Sequence, residues 1–154
     1  MLSFRPGSEV EQEQLGAALA PCCGAGSVLF LDGELGVGKT TLVRGFLRGM
    51  GYPDRVKSPT YTLIEPYAVG ATNVYHLDLY RVGDPDELEF LGIRDLVAEE
   101  STLLVEWPER GEGMLPPPDL RVVIRYAGTG RLVEISACSE RGRQILAAFE
   151  PYRP

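Results

Sequence analysis

Apolar positions along this chain fall into two rhythms. From Glu9 to Ala20, Leu15, Ala18 and Leu19 share one side of a helix, and Ser8 stands where a cap belongs. Pro21 to Gly26 reads as a turn. Ser27 to Asp32 holds the unbroken apolar run Val28-Leu29-Phe30-Leu31 between glycines, the mark of a buried strand. Lys39 to Met50 returns to helical spacing at Leu42, Val43, Phe46 and Leu47, with Gly51 as its stop.

Beyond that helix, Tyr61 to Glu65 and Asn73 to Leu79 read as strands. Asp84-Pro85-Asp86-Glu87 starts a short helix: Asp84 caps it, proline suits its first turn, Glu87 completes a capping box, and Gly92 ends it. Arg94 to Glu99 reads as a further helix and Thr102 to Glu106 as an apolar strand. After the stiff Pro116-Pro117-Pro118 connector, Leu120 to Tyr126 and Arg131 to Ala137 alternate around Gly128-Thr129-Gly130 as a hairpin, and Glu140 to Phe149 closes as a helix. Strands and helices interleave first and a hairpin follows, so the order predicts an α/β fold, a three-layer core with a mixed sheet and a C-terminal β-hairpin. With 154 residues and no internal repeat, one domain over 1–154 is expected.

The segment between the first strand and the second helix carries chemistry. Gly33-Glu34-Leu35-Gly36-Val37-Gly38-Lys39-Thr40 fits the pattern G-x-x-x-x-G-K-[ST], with a strand before it and a helix after it. Glycines let successive backbone N–H groups turn inward at anionic oxygens, and the helix adds its positive end. The pattern predicts a P-loop NTPase-like core. Lys39 would reach the β- and γ-phosphates, Thr40 would ligate Mg²⁺, and Thr41 would support the α-phosphate, with Glu34, Leu35, Gly36, Val37 and Gly38 lining the cradle. Lysine occurs only at Lys39 and Lys57, so a lysine-poor chain spends one of its two in this loop.

Glu106 ends Leu103-Leu104-Val105 in the acidic place of a Walker B strand, and Asp78 lies near the end of Val74-Tyr75-His76-Leu77. Strand ends beside such a loop are where a metal-linked carboxylate and a water-orienting group belong, although solvated acids also sit there. Thr60, within Ser58-Pro59-Thr60-Tyr61-Thr62, lies where nucleotide switches keep a threonine; a plain Ser-Pro turn is the other reading. His76 is either a base or a packed strand residue, and Trp107 by itself is an ordinary aromatic. The Asn-Lys-x-Asp signal of GTPases is missing, since Val74 follows the one asparagine, Asn73; ATP is the expected nucleotide.

Net charge narrows the partners. At −7, with no basic run, the chain lacks the footprint of a protein that grips nucleic acid by itself. Cys22, Cys23 and Cys138 with the single His76 do not make a zinc site and read as free thiols. No apolar run approaches the ~18 residues of a membrane span. The opening Met1-Leu2-Ser3-Phe4-Arg5-Pro6 has no leader pattern, so a cytoplasmic location is expected.

Taken together, the P-loop with Thr41, Val56-Lys57-Ser58-Pro59-Thr60-Tyr61-Thr62, Tyr75-His76-Leu77-Asp78-Leu79-Tyr80-Arg81 and Leu104-Val105-Glu106-Trp107-Pro108 resemble the TsaE (YjeE) family. Glu87-Leu88-Glu89-Phe90-Leu91-Gly92-Ile93-Arg94-Asp95 and Leu115-Pro116 fit as well, nearly end to end and in the same order; Val37 stands where the family often has alanine. The resemblance implies an ATPase subunit supporting threonylcarbamoyl-adenosine formation at position 37 of tRNA, acting with TsaB and TsaD. It implies that Thr40 and Glu106 are metal-linked, that Asp78 and Trp107 matter for hydrolysis, and that Glu9, Gly130 and Arg131 add nucleotide contacts. Two other readings of the loop are a small phosphotransferase and a non-enzymatic ATP-dependent binding switch.

Overall fold

The computed structural model describes residues 1–98 and 101–154. In chain order it holds β1 (Leu2–Phe4), α1 (Glu9–Cys23), β2 (Val28–Asp32), α2 (Lys39–Gly49), β3 (Ile64–Val69), β4 (Thr72–Asp78), α3 (Glu87–Phe90), α4 (Ile93–Ala98), β5 (Thr102–Glu106), a 3₁₀ turn at Pro108–Gly111, β6 (Leu120–Ala127), β7 (Gly130–Ala137) and α5 (Glu140–Phe149). The seven strands form one mixed sheet in the order β1-β7-β6-β2-β5-β4-β3. β2 runs parallel to both β5 and β6, and β4 runs parallel to β5. β3, β7 and β1 are antiparallel additions at the edges. The α/β architecture with a mixed sheet and a late hairpin is therefore the one the pattern predicts.

Two cores sandwich the sheet. On one face, Leu15 and Leu19 of α1, Leu42, Val43, Phe46 and Leu47 of α2, and Ile145 and Phe149 of α5 pack on Leu29, Leu31, Val122 and Ile135. On the other, Leu79, Leu88 and Ile93 cover Val28, Phe30, Leu103 and Val105. β2 contributes to both cores, as a central parallel strand does. Ser8 caps α1 through its side chain, accepting from the Glu11 N–H.

Several boundaries differ from the expected ones, each for a physical reason. α1 continues through Pro21 to Cys23, where a turn was expected. Proline's fixed φ is itself helical, and the missing N–H affects only the last turns. The Ala17 carbonyl, four residues before Pro21, instead faces Gly49 of α2, where an added Cβ would come within 2.2 Å of it. β3 begins at Ile64 rather than Tyr61. Leu63 holds a left-handed φ of 68°, and its N–H donates to the Pro59 carbonyl at 2.8 Å, so residues 59–63 form a closed turn before the strand. Asp84 does not cap α3: its Oδ1 accepts from the Asp86 N–H at 2.9 Å, an Asx turn that delays the helix to Glu87. The helix expected over Arg94 to Glu99 is α4, with Glu99 outside the described residues.

Cys22, Cys23 and Cys138 are free. Burial pushes the Cys23 thiol up to about 12, as an inert core sulfur requires. Among the described residues, no helix is long and apolar enough to cross a membrane.

Candidate phosphate and metal site

The C-terminal ends of β2, β4 and β5 converge on the N-terminus of α2. Parallel pairing makes this possible: register partners in β4 and β5 include Asp78 with Glu106, and in β2 and β5 Leu31 with Glu106. The two acids that follow apolar runs in the sequence are thus direct neighbours beside the loop. The loop between β2 and α2 turns through three glycines of positive φ, Gly33 (155°), Gly36 (76°) and Gly38 (108°), the last serving as N-cap of α2 with no side chain to cap it. An N-terminus left open by its own residues is a ready anion site.

Lys39 is buried, at 4% exposure, and its Nζ donates to the Gly33 carbonyl at 2.6 Å while standing 3.9 Å from the centre of the Trp107 ring. Desolvation lowers its pKa from the ordinary lysine value, and the carboxylates of Glu106, Asp78, Glu109 and Asp32 oppose that shift. An ammonium has three donors, and the Gly33 carbonyl engages one of them. Thr40 Oγ1 donates to Glu106 Oε2 at 3.1 Å, and that same oxygen lies 2.5 Å from His76 Nε2. Glu106 is 4% exposed and His76 is wholly buried, so the carboxylate is held from two sides. His76 Nδ1 is a buried nitrogen with no partner among the described residues.

Asp78 sits at the rim, its Oδ1 accepting from the Tyr80 N–H at 3.1 Å. Desolvation raises its pKa, the Tyr80 N–H opposes that, and neighbouring Glu106 adds to it. Trp107 takes a left-handed backbone (φ 57°, ψ 51°), which is strained for a bulky residue and concentrates at functional sites. That turn lays its ring against Lys39, with the Tyr80 ring 5.0 Å away.

On the far side of the loop, Glu9, Gly130 and Arg131 meet around a recess also lined by Ser8, Gln12 and Thr41. Thr41 Oγ1 donates to Glu9 Oε1 at 3.4 Å, and Arg131 Nε donates to the Val37 carbonyl at 2.8 Å. Three segments far apart in the chain thus gather at the glycine loop. Thr60 is not drawn in: its hydroxyl pairs with Ser58 Oγ at 2.7 Å, and among the described residues no bond joins it to the loop or to the strand-end acids.

Gln12 is not singled out by the sequence, and His76 is named there without its partner. Gln12 is a glutamine 3% exposed on the buried side of α1, in step with Leu15 and Leu19; a polar residue on an apolar stripe was the available signal. The sequence leaves His76 as a base or a packed residue, and its partner Glu106, on a neighbouring strand, is visible only once β4 and β5 pair.

The donor set would suit a hard divalent cation such as Mg²⁺. Among the described residues, no three His, Cys, Asp or Glu side chains are grouped to hold a metal by themselves. One hydroxyl and one or two carboxylates are what Mg²⁺ takes from a protein when phosphate oxygens and water complete its shell.

Comparison with known proteins places this architecture. A family model described as threonylcarbamoyl adenosine biosynthesis protein TsaE matches residues 7–133. The tRNA threonylcarbamoyladenosine biosynthesis protein TsaE of Haemophilus influenzae is 49% identical over 122 residues, covering 79% of this chain and 77% of the relative. The protein of the same name in Bacillus subtilis is 39% identical over 127 residues, covering 82% and 79%. The crystal structure of Bacillus subtilis YdiB matches with a TM-score of 0.81 at 30% identity, over 97% of this chain and 93% of that one. By that family match and these relatives, the chain belongs to the TsaE family of tRNA threonylcarbamoyladenosine biosynthesis proteins.

Proposed function

We propose that this chain is the ATP-binding and ATP-hydrolysing subunit of the threonylcarbamoyl modification of adenosine 37 in tRNA, working in the cytoplasm with TsaB and TsaD. One observation carries the catalytic part: the hydroxyl that follows the loop lysine, Thr40, is hydrogen-bonded to the buried strand-end carboxylate Glu106 at 3.1 Å. That pairing of a loop hydroxyl with a strand-end acid is the arrangement that holds Mg²⁺ in P-loop nucleotide hydrolases.

In this reading the backbone N–H groups from Glu34 to Thr41 receive the phosphates, and Lys39 supplies the fixed positive charge at their outer end. Thr40 and Glu106 hold Mg²⁺, with Asp78 at its water shell or at the attacking water. A bound Mg²⁺ would neutralise charge between the β- and γ-phosphates. His76 keeps the Glu106 carboxylate turned towards Thr40. Trp107 shields the Lys39 ammonium from water, which strengthens its attraction for phosphate oxygens. Glu9, Gly130 and Arg131 contact the nucleoside end of ATP.

Phosphate release from Mg·ATP, followed with and without TsaB and TsaD, tests the proposal. Slow release by the lone chain that rises on adding the partners is expected. Binding of ATP with no turnover under either condition, or transfer of the phosphoryl group to a small acceptor, would replace this reading with one of the other two.

A further inference from the structure

A glycine-rich loop has many conformations open to it, and fixing one of them takes contacts from outside. Here they come from three elements that the loop motif does not contain. The Gln12 carboxamide of α1 donates from Nε2 to the Gly38 carbonyl at 2.7 Å and reaches the Val37 carbonyl at 3.5 Å. Arg131 of β7 donates to the same Val37 carbonyl, and the Tyr126 hydroxyl of β6 donates to the Leu35 carbonyl at 3.3 Å. A trans peptide is planar, with its C=O and N–H on opposite sides. Drawing the carbonyls of Leu35, Val37 and Gly38 towards these donors therefore turns the N–H groups of Gly36, Gly38 and Lys39 away from them, towards the hollow of the loop.

Gln12 has the tightest seat of the three. It is 3% exposed, and a Cβ placed on Gly38 would come within 2.2 Å of its Nε2, so the carboxamide fills the space that glycine leaves. The Gly38 carbonyl also accepts the Leu42 N–H at 3.1 Å, which ties the Gln12 contact to the first turn of α2.

We infer that Gln12 is a positioning residue for phosphate recognition: its carboxamide holds the Val37 and Gly38 carbonyls outward and so presets the loop amides before nucleotide arrives. This rests on the reading that the loop binds the phosphates of a nucleotide. Gln12 acts through the backbone, so what it changes is affinity for the phosphate chain rather than the chemical step.

The test separates a donor from a space-filler. Gln12→Met keeps the volume and removes the donor; Gln12→Ala removes both. ADP affinity is measured by calorimetry without magnesium, alongside melting temperature and the kcat and KM of phosphate release. A positioning role predicts that both variants weaken ADP binding by about tenfold and raise KM similarly, with kcat within about twofold of the parent. A packing role predicts that Gln12→Met behaves as the parent while Gln12→Ala melts lower, and that result overturns the inference. Tyr126→Phe, which deletes one hydroxyl from a half-exposed side chain, guards against misfolding of the Gln12 variants. It should weaken ADP binding by about threefold, and full ADP affinity in this folded variant would equally count against a loop held from outside. A parent protein that binds no nucleotide overturns the proposed function together with this inference. A parent that binds ADP beside a Gln12→Met variant that binds it equally well overturns only the inference.

Discussion

Lys39 is where the chain's local chemistry is most exposed to test. It is buried, its ammonium is partly desolvated, and four carboxylates help to keep it charged. Its contacts are with a carbonyl and a ring face, not with the apolar cores, so Lys39→Ala should fold as the parent does by circular dichroism. It should lower the rate of ATP hydrolysis by roughly 10²-fold or more, the scale set by removing one fixed charge from a phosphoryl-transfer site. Asp78 offers a test that needs no ligand. Burial raises its pKa above the ordinary 3.8, so the native state binds its proton more tightly than the unfolded chain does. The carboxylate therefore opposes folding at neutral pH, and the penalty disappears as pH falls below 3.8. In metal-free buffer, Asp78→Asn should melt higher than the parent at pH near 7, with the gap closing on acidification; a gap independent of pH would refute the assignment. At this scale the sequence was readable where a residue's role follows from its neighbours in the chain, as in the loop. It was silent where the role comes from pairing, as with the His76–Glu106 contact between β4 and β5.

The helix pair α1 and α2 shows what sets element geometry. Gly16 lies against the Leu42 carbonyl, Gly45 against the Glu13 carbonyl and Gly49 against the Ala17 carbonyl, at separations that would put an added Cβ 2.2, 1.9 and 2.2 Å from those oxygens. The close crossing keeps Gln12 within reach of the loop. Alanine has the better helix propensity by about 1 kcal/mol, yet forcing the helices apart costs about 1–3 kcal/mol. Gly45→Ala should therefore lower the urea midpoint, and an unchanged or higher midpoint would show that the helices can separate freely. Helix α2, strand β5, the hairpin and α5 were legible because helical spacing, an unbroken apolar run and strand alternation around glycines mark them in turn. β1 was not, since Leu2-Ser3-Phe4 is too short for a pattern and is a strand only because β7 offers it an edge. The start of β3 and the end of α1 were misread because a left-handed leucine and a helical proline run against the usual preferences of those residues.

Across the whole molecule, the sheet brings β2, β4 and β5 to one end and the hairpin to the loop's far side, so a site scattered from Glu9 to Arg131 becomes contiguous. That could be anticipated for the strand-end acids, where parallel order aligns them, but not for the supports behind the loop. Membership in a tRNA-modification family sits beside a net charge of −7, which disfavours a direct grip on tRNA. Filter binding at physiological salt should detect weak tRNA binding or none by the lone chain; tight, salt-sensitive retention would mean that arginines gather into a basic face. On the proposed function, Glu106 serves hydrolysis of Mg·ATP rather than the grip on the nucleotide. The most direct measurement pairs ATP affinity by calorimetry with single-turnover hydrolysis for Glu106→Gln and the parent protein. ATP affinity of Glu106→Gln should stay within about tenfold of the parent, because the loop amides and Lys39 remain, while hydrolysis slows by about 10²-fold or more and loses its magnesium dependence. Parent-like hydrolysis in Glu106→Gln would contradict that role.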